Sequence, residues 1–111
     1  MIPGTNRRIH PRKVLRAVAK VTVPGQPPRE GKTWDLGVDG MSIMSPKPIA
    51  PGTKCEVSFD LPVGGKVLPV TAPVKVLYCS FSGSDGFKVG TAFGDLDDES
   101  RDAVNWFAVA P

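Results

Sequence analysis

A chain of 111 residues with a formal net charge of +3 is long enough for one domain with a single hydrophobic core. No apolar run approaches the roughly 20 residues that a membrane-spanning helix needs, and no hydrophobic stretch follows the first charges as it would in a signal peptide. These properties argue against an integral membrane protein and a secreted protein, and we expect a cytoplasmic one.

The charges are unevenly distributed along the chain. Residues 1–20 hold six basic residues and no acid, whereas residues 94–111 hold five acids and one arginine. The basic segment is expected to attract an anion. A solvated arm that only aids solubility is an equally open interpretation.

Residues 1–13 are polar, contain two prolines and show no hydrophobic period, which predicts a flexible arm. From residue 14 apolar side chains alternate with polar ones as far as Val23, a pattern typical of a half-buried strand. Prolines and a glycine at 24–28 end it. Two short strands are then expected near 31–36 and 40–45, joined by the turn from Gly37 to Gly40.

The second half of the chain continues the alternation. Gly64-Gly65 is a hairpin signal between two strands, and Pro69 and Pro73 predict a sheet edge or a bulge because proline cannot donate to a ladder. The tail from Asp98 changes to a helical period, with acids in its first turn. Predicted strands cover approximately residues 55–61, 70–78 and 87–93, with loops at 46–53 and 80–86.

Many short strands separated by turn signals indicate an antiparallel barrel or sandwich, here a single domain over residues 14–111 with a short C-terminal helix. Cys55 and Cys79 lie in apolar strands and are expected to be free thiols that behave as small hydrophobic side chains. By its parity with Val74 and Val76, Tyr78 is expected in the core, and stacking on a base at the barrel rim is the alternative. Trp34 is either a core residue or a wall of a site.

Two short motifs carry the functional signal. Arg8-Ile9-His10-Pro11-Arg12 places two arginines four positions apart in the basic segment, and Asp35-Leu36-Gly37-Val38-Asp39-Gly40 places a carboxylate beside two glycines. Guanidinium groups suit phosphates and purine edges, and glycine lets a backbone approach a ligand closely. By itself the second motif is better explained as an ordinary turn, and only its pairing with the first motif favours a site.

Together the motifs resemble the signature of the PilZ domain, a bacterial receptor module for cyclic di-GMP, which reads RxxxR and then [D/N]x[S/A]xxG. The resemblance implies a six-stranded antiparallel β-barrel with a C-terminal helix. It also implies that Arg8, Arg12, Asp35 and Gly40 bind the dinucleotide, with Asp35 accepting hydrogen bonds from the guanine N1–H and N2–H2 groups. Arg7 matches a family position associated with an intercalated ligand dimer, which implies two nucleotides per chain.

Gly37 departs from the family pattern, because it lacks the hydroxyl that members use at that position. The loss of one hydrogen bond implies weaker affinity, while a small residue with a backbone N–H is retained. Gly37 also supports an alternative interpretation, a PilZ-like adaptor that has lost nucleotide binding and acts through protein contacts alone.

An enzyme is not expected, because no nucleophile–base pair and no glycine-rich phosphate loop before a helix are present. His10 has no second ligand at metal-binding spacing, so neither a metal nor a cofactor is expected. A barrel that binds single-stranded nucleic acid ranks third, since such barrels display several exposed aromatic side chains among basic residues. The expected partners are therefore cyclic di-GMP and a downstream protein whose identity the sequence does not reveal, with neither DNA, RNA nor membrane insertion.

Overall fold

The computed structural model describes residues 12–110. Seven strands are followed by one helix, α1 (Asp98–Val109). The strands are β1 (Lys13–Val14), β2 (Val18–Thr22), β3 (Arg29–Leu36), β4 (Gly40–Ser45), β5 (Lys54–Val63), β6 (Lys66–Phe81) and β7 (Phe87–Phe93).

Six of the strands close into an antiparallel barrel, which confirms the predicted fold. The ring runs β2–β3–β4–β7–β6–β5 and returns to β2, and β1 adds a short pairing outside β3. Closure leaves each barrel strand hydrogen-bonded on both sides over at least part of its length. Side chains of alternating parity fill the interior, among them Val21, Val57 and Val89, all fully buried.

The β5–β6 hairpin turns at Gly64-Gly65, as predicted, and both glycines have positive φ, 56° and 82°. The strand with prolines also behaves as expected. Its pairing with β7 begins only at Val74, so Pro69 and Pro73 lie where β6 pairs with β5 alone.

The single strand predicted from residue 14 to Val23 is wrong, because it divides into β1 and β2 with Leu15–Ala17 between them. The cause is the buried hydroxyl of Thr33. Its Oγ1 accepts a hydrogen bond from the Ala17 backbone N–H at 2.8 Å and donates to the Leu15 carbonyl. A side chain here replaces part of the backbone ladder, which the apolar alternation does not reveal.

The core position predicted for Tyr78 is also wrong, because the residue is 42% exposed. The register between β6 and β7 shifts between Val76 and Tyr78, which leaves Leu77 as an extra residue. A bulge of this kind reverses the inward–outward parity of everything that follows it. Both thiols are free, as expected; Cys55 is buried and Cys79 is partly exposed. Burial raises the pKa of the Cys55 thiol, an effect that Arg29 partly offsets.

Helix α1 packs on β5 and β6 through the face predicted from its period, with Val104 and Ala108 buried and Phe107 half-buried. Lys13 connects the two ends of the domain. Its Nζ donates to the Ala110 carbonyl and lies 5.0 Å from the centroid of the Phe107 ring. Within residues 12–110, no helix has the length and apolar character needed to cross a membrane.

Asp97 caps the first turn of α1, and its carboxylate accepts a hydrogen bond from the Ser100 backbone N–H at 2.7 Å. The backbone and hydroxyl hydrogen bonds of Ser100 hold the pKa of Asp97 below its ordinary value of 3.8. The stability that the ionised Asp97 cap adds to the folded protein is therefore complete above pH 3.8. It is lost as the pH falls through the lowered pKa of Asp97.

We expect Asp97→Ala to lower the melting temperature at pH 7, and the difference from the unaltered protein to shrink as the pH falls below about 4. Asp97→Asn is the matched control, since asparagine caps helices without titrating in this range. Thermal unfolding from pH 2.5 to 7 measures both, and a difference for Asp97→Ala that did not change with pH would contradict the assignment.

Candidate functional site

The structure brings the two halves of the predicted motif pair together. Arg12 lies at the start of the described chain and Asp35 near the end of β3, yet Arg12 Nη1 is 3.2 Å from Asp35 Oδ1. Both side chains are largely enclosed, at 14% and 17% exposed. Pairing in a partly buried position is stronger than at an open surface, because less water screens the charges.

Arg12 retains unused hydrogen-bonding capacity. Its Nε is buried and has no hydrogen-bond partner within residues 12–110. Asp39 Oδ1 is 3.6 Å away, which is an electrostatic contact but too long for a hydrogen bond. A buried donor without a partner costs about 1–3 kcal/mol. A ligand oxygen that reached this nitrogen would recover that energy.

A bulge in β3 determines how Asp35 is presented. The register with β4 shifts between Thr33 and Asp35, so Trp34 and Asp35 together oppose Ser42. Thr33 and Leu36 are both fully buried, and the two residues between them are both partly exposed. The bulge therefore directs two consecutive side chains, an indole and a carboxylate, to the outside of the barrel.

Gly40 is required by packing. A Cβ at this position would lie 2.1 Å from the Thr91 carbonyl oxygen, so β4 and β7 can approach each other only if residue 40 is a glycine. Gly37 is buried, and its backbone N–H donates to the Gly40 carbonyl at 2.9 Å. That N–H is used inside the turn.

The cross-strand register also places Tyr78 on the outer face. Asp35 pairs with Ser42, Ser42 with Gly90, and Gly90 with Tyr78, which forms one row across four strands. A Cβ on Gly90 would lie 2.0 Å from the Tyr78 ring, so this ring occupies the space above the glycine. The sequence did not predict the outward position of Tyr78, because no glycine, proline or break in the apolar alternation indicates the bulge at Leu77.

The remaining predicted residues, Arg7 and Arg8, lie outside the described residues, as does His10. The predicted arm of residues 1–13 falls there too, except for Arg12 and Lys13, which belong to the folded part. Asp39, which the motifs alone did not single out, lies beside the candidate site, with its Oδ1 3.6 Å from Arg12 Nε. Over the described range, His, Cys, Asp and Glu side chains form no cluster of three or more that would hold a metal ion.

The family model for the PilZ domain matches residues 6–109. The chain therefore belongs to the PilZ domain family, and the predicted membership is confirmed. A comparison with curated proteins finds none that matches.

Solved structures share the fold at low sequence identity. The Bacillus subtilis inhibitor of motility MotI/DgrA superposes with a TM-score of 0.75 at 11% identity, over 95% of this chain and 51% of that one. The PilZ domain of YcgR from Escherichia coli, solved with cyclic di-GMP, gives 0.65 at 13% identity, over 89% and 86%. The Borreliella burgdorferi PlzA protein, also in complex with cyclic di-GMP, gives 0.66 at 18%, over 92% and 41%. The chain thus spans about half the length of MotI/DgrA and less than half the length of PlzA. It spans most of the YcgR PilZ domain.

We expect Gly40→Ala to destabilise the fold by about 1–3 kcal/mol or more, because the added methyl group meets backbone that cannot move away without opening the β4–β7 ladder. Gly94→Ala is the matched control, since its nearest neighbours would be at 3.5 Å, an ordinary contact. Urea denaturation of both variants measures the difference. Equal stabilities would show that the β4–β7 contact tolerates a side chain at residue 40.

Proposed function

We propose that this protein is a cyclic di-GMP receptor that binds the dinucleotide on the outer face of the barrel, around Arg12 and Asp35. The observation that carries the proposal is the 3.2 Å contact between these two residues, which unites the motifs. Membership of the PilZ family supports it, as do the two similar structures solved with this ligand. The protein acts by binding, without catalysis, and a cytoplasmic location belongs to the same proposal.

The chemistry of the site matches the ligand. Arg12 offers its Nη atoms to a phosphate oxygen or to guanine O6 and N7. The Asp35 carboxylate has about four acceptor positions, so it can retain its contact with Arg12 and accept the N1–H and N2–H2 donors of a guanine edge. Each charge-assisted hydrogen bond is worth about 1.5–3 kcal/mol net, which gives micromolar affinity from a few of them.

Arg7 and Arg8 complete the proposed set, with Gly37 and Gly40 in the turn below. Arg7 favours two nucleotides per chain as an intercalated dimer. Fixing the N-terminal segment against the barrel costs about 1–2 kcal/mol of backbone entropy per residue, which moderates affinity and couples binding to a change of shape. This change is the signal that a downstream protein partner would recognise.

A second candidate function, a PilZ-like adaptor without nucleotide binding, is favoured by Gly37. The residue has no hydroxyl, and its backbone N–H already donates to Gly40 within the turn. A ligand would therefore receive neither hydrogen bond from this position. The Arg12–Asp35 ion pair would then be a purely structural contact.

Calorimetric titration with cyclic di-GMP, with GTP as the control nucleotide, tests the proposal. We expect saturable binding near two nucleotides per chain in the unaltered protein, and at least tenfold weaker binding in Arg8→Ala and in Arg12→Ala. Lys20→Ala is the matched control. It removes an exposed cation on β2 that lies opposite Glu30 of β3. Glu30 is five residues along β3 from Asp35, which places it about 17 Å from that residue.

Thermal unfolding of each variant confirms that it is folded before its affinity is compared. If both arginine variants bound like the unaltered protein, the site assignment would be wrong. If the unaltered protein released no heat at high ligand concentration, the adaptor function would replace the receptor function.

Gly37→Ser restores the residue type that the family usually carries. We expect affinity equal to or greater than that of the unaltered protein, because the added hydroxyl supplies a hydrogen bond that the glycine lacks. The same titration measures it. A large loss of affinity in a folded variant would show that a side chain at position 37 obstructs the ligand.

A further inference from the structure

Trp34 and Arg16 form a stacked pair next to Asp35. The Arg16 Cζ atom lies 3.6 Å from the centroid of the Trp34 ring, and Arg16 Nε donates to the Trp34 carbonyl at 3.4 Å. Lys88 Nζ approaches the same ring at 5.8 Å. The indole therefore supports two cations on the outer surface of the barrel.

The arrangement leaves a flat cationic surface accessible. Arg16 is exposed, while Trp34 beneath it is partly buried, so the indole holds the guanidinium in one plane and leaves its outer side open. Beside the pair runs an open groove of about 1170 Å³, with Phe81 and Phe87 along its walls. Phe81 is 75% exposed.

Stability alone does not account for this pair. An exposed cation–π contact contributes little to folding, and the β3 bulge at Trp34 also interrupts the regular ladder pairing with β4. The bulge sets the indole and the Asp35 carboxylate side by side on one face. On the surface, the Asp35 carboxylate therefore has the Arg12 cation as one neighbour and the Trp34–Arg16 stack as another.

We propose that the Trp34–Arg16 stack is a purine-stacking subsite of the nucleotide site, in which a guanine base lies on the open side of the Arg16 guanidinium. A guanidinium stacks on aromatic planes, and a backing indole keeps it oriented for the incoming base. Lys88 adds positive charge for a phosphate. This inference rests on the proposed function and names Arg16 and Trp34 as ligand-binding residues that neither motif contains.

Affinity measurements test the stacking role of Arg16. We expect cyclic di-GMP to bind Arg16→Ala about five- to a hundredfold more weakly than the unaltered protein, a range typical of losing one base-stacking contact. Arg16→Lys keeps the charge without the planar surface, so it is expected to lose most of the same affinity. Lys20→Ala removes the same charge away from the groove and is expected to change affinity less than twofold.

Tryptophan fluorescence tests the location directly, because the chain has two tryptophans. Trp106 lies on α1 beside the β5–β6 hairpin, in a different groove. In Trp106→Phe, cyclic di-GMP is expected to change the emission of Trp34 saturably, with the midpoint found by calorimetry. In Trp34→Phe, the emission of Trp106 is expected to stay nearly constant.

The possible results distinguish a failure of the stacking subsite from a failure of the receptor function. Calorimetric binding with unchanged affinity in both Arg16 variants would overturn the stacking subsite and leave the receptor function in place, as would binding with no change in Trp34 emission. Affinity lost in Arg16→Ala but retained in Arg16→Lys would also overturn it, because charge alone would then suffice. No binding to the unaltered protein would overturn the receptor function and the subsite together.

Discussion

Closure of the sheet depends on β4, which pairs with β3 on one side and with β7 on the other. The β4–β7 pairing is so close at its first residue that only glycine fits there, since any Cβ on Gly40 would meet the Thr91 carbonyl. Thr91 contributes a second constraint, because its buried hydroxyl donates to the Met41 carbonyl at 2.8 Å. Without this closure the strand edges of β4 and β7 would be unpaired and the core would open to water.

The candidate site lies at the β3–β4 hairpin, whose second strand makes this pairing with β7. Asp35 is the second-last residue of β3 and Gly40 begins β4, so the six residues of the second motif span the turn that joins these strands. One end of the motif faces outward as a carboxylate, and the other end faces a neighbouring strand as a packing glycine. The spacing between Asp35 and Gly40 therefore matters for both packing and the site. The β3–β4 hairpin places Gly40 against β7 and places the Asp35 carboxylate against Arg12.

The electrostatic arrangement follows from the same geometry. Arg12 is held between Asp35 and Asp39, at 3.2 Å and 3.6 Å, while its buried Nε finds no hydrogen-bond partner among residues 12–110. A guanidinium in this position is partly neutralised yet incompletely bonded, a state that an anionic ligand with additional acceptors can improve. Lys13 follows directly and contacts the end of α1, so the chain segment that carries the motif arginine also touches the helix.

Local pattern alone determined the strand period, the Gly64-Gly65 hairpin, the helix from Asp98 with its buried Val104, and the resemblance of the two motifs to the PilZ signature. These features depend on neighbours within a few residues, so the sequence contains the information directly. The tertiary structure decided what depends on contacts between distant strands. The Thr33 hydroxyl divides the first predicted strand, and the bulges at Trp34 and Leu77 turn Asp35 and Tyr78 outward, because one extra residue in a ladder reverses the parity of the side chains after it. Only the closed barrel brings Arg12 to Asp35 across 23 positions of the chain and sets the Trp34–Arg16 stack beside them.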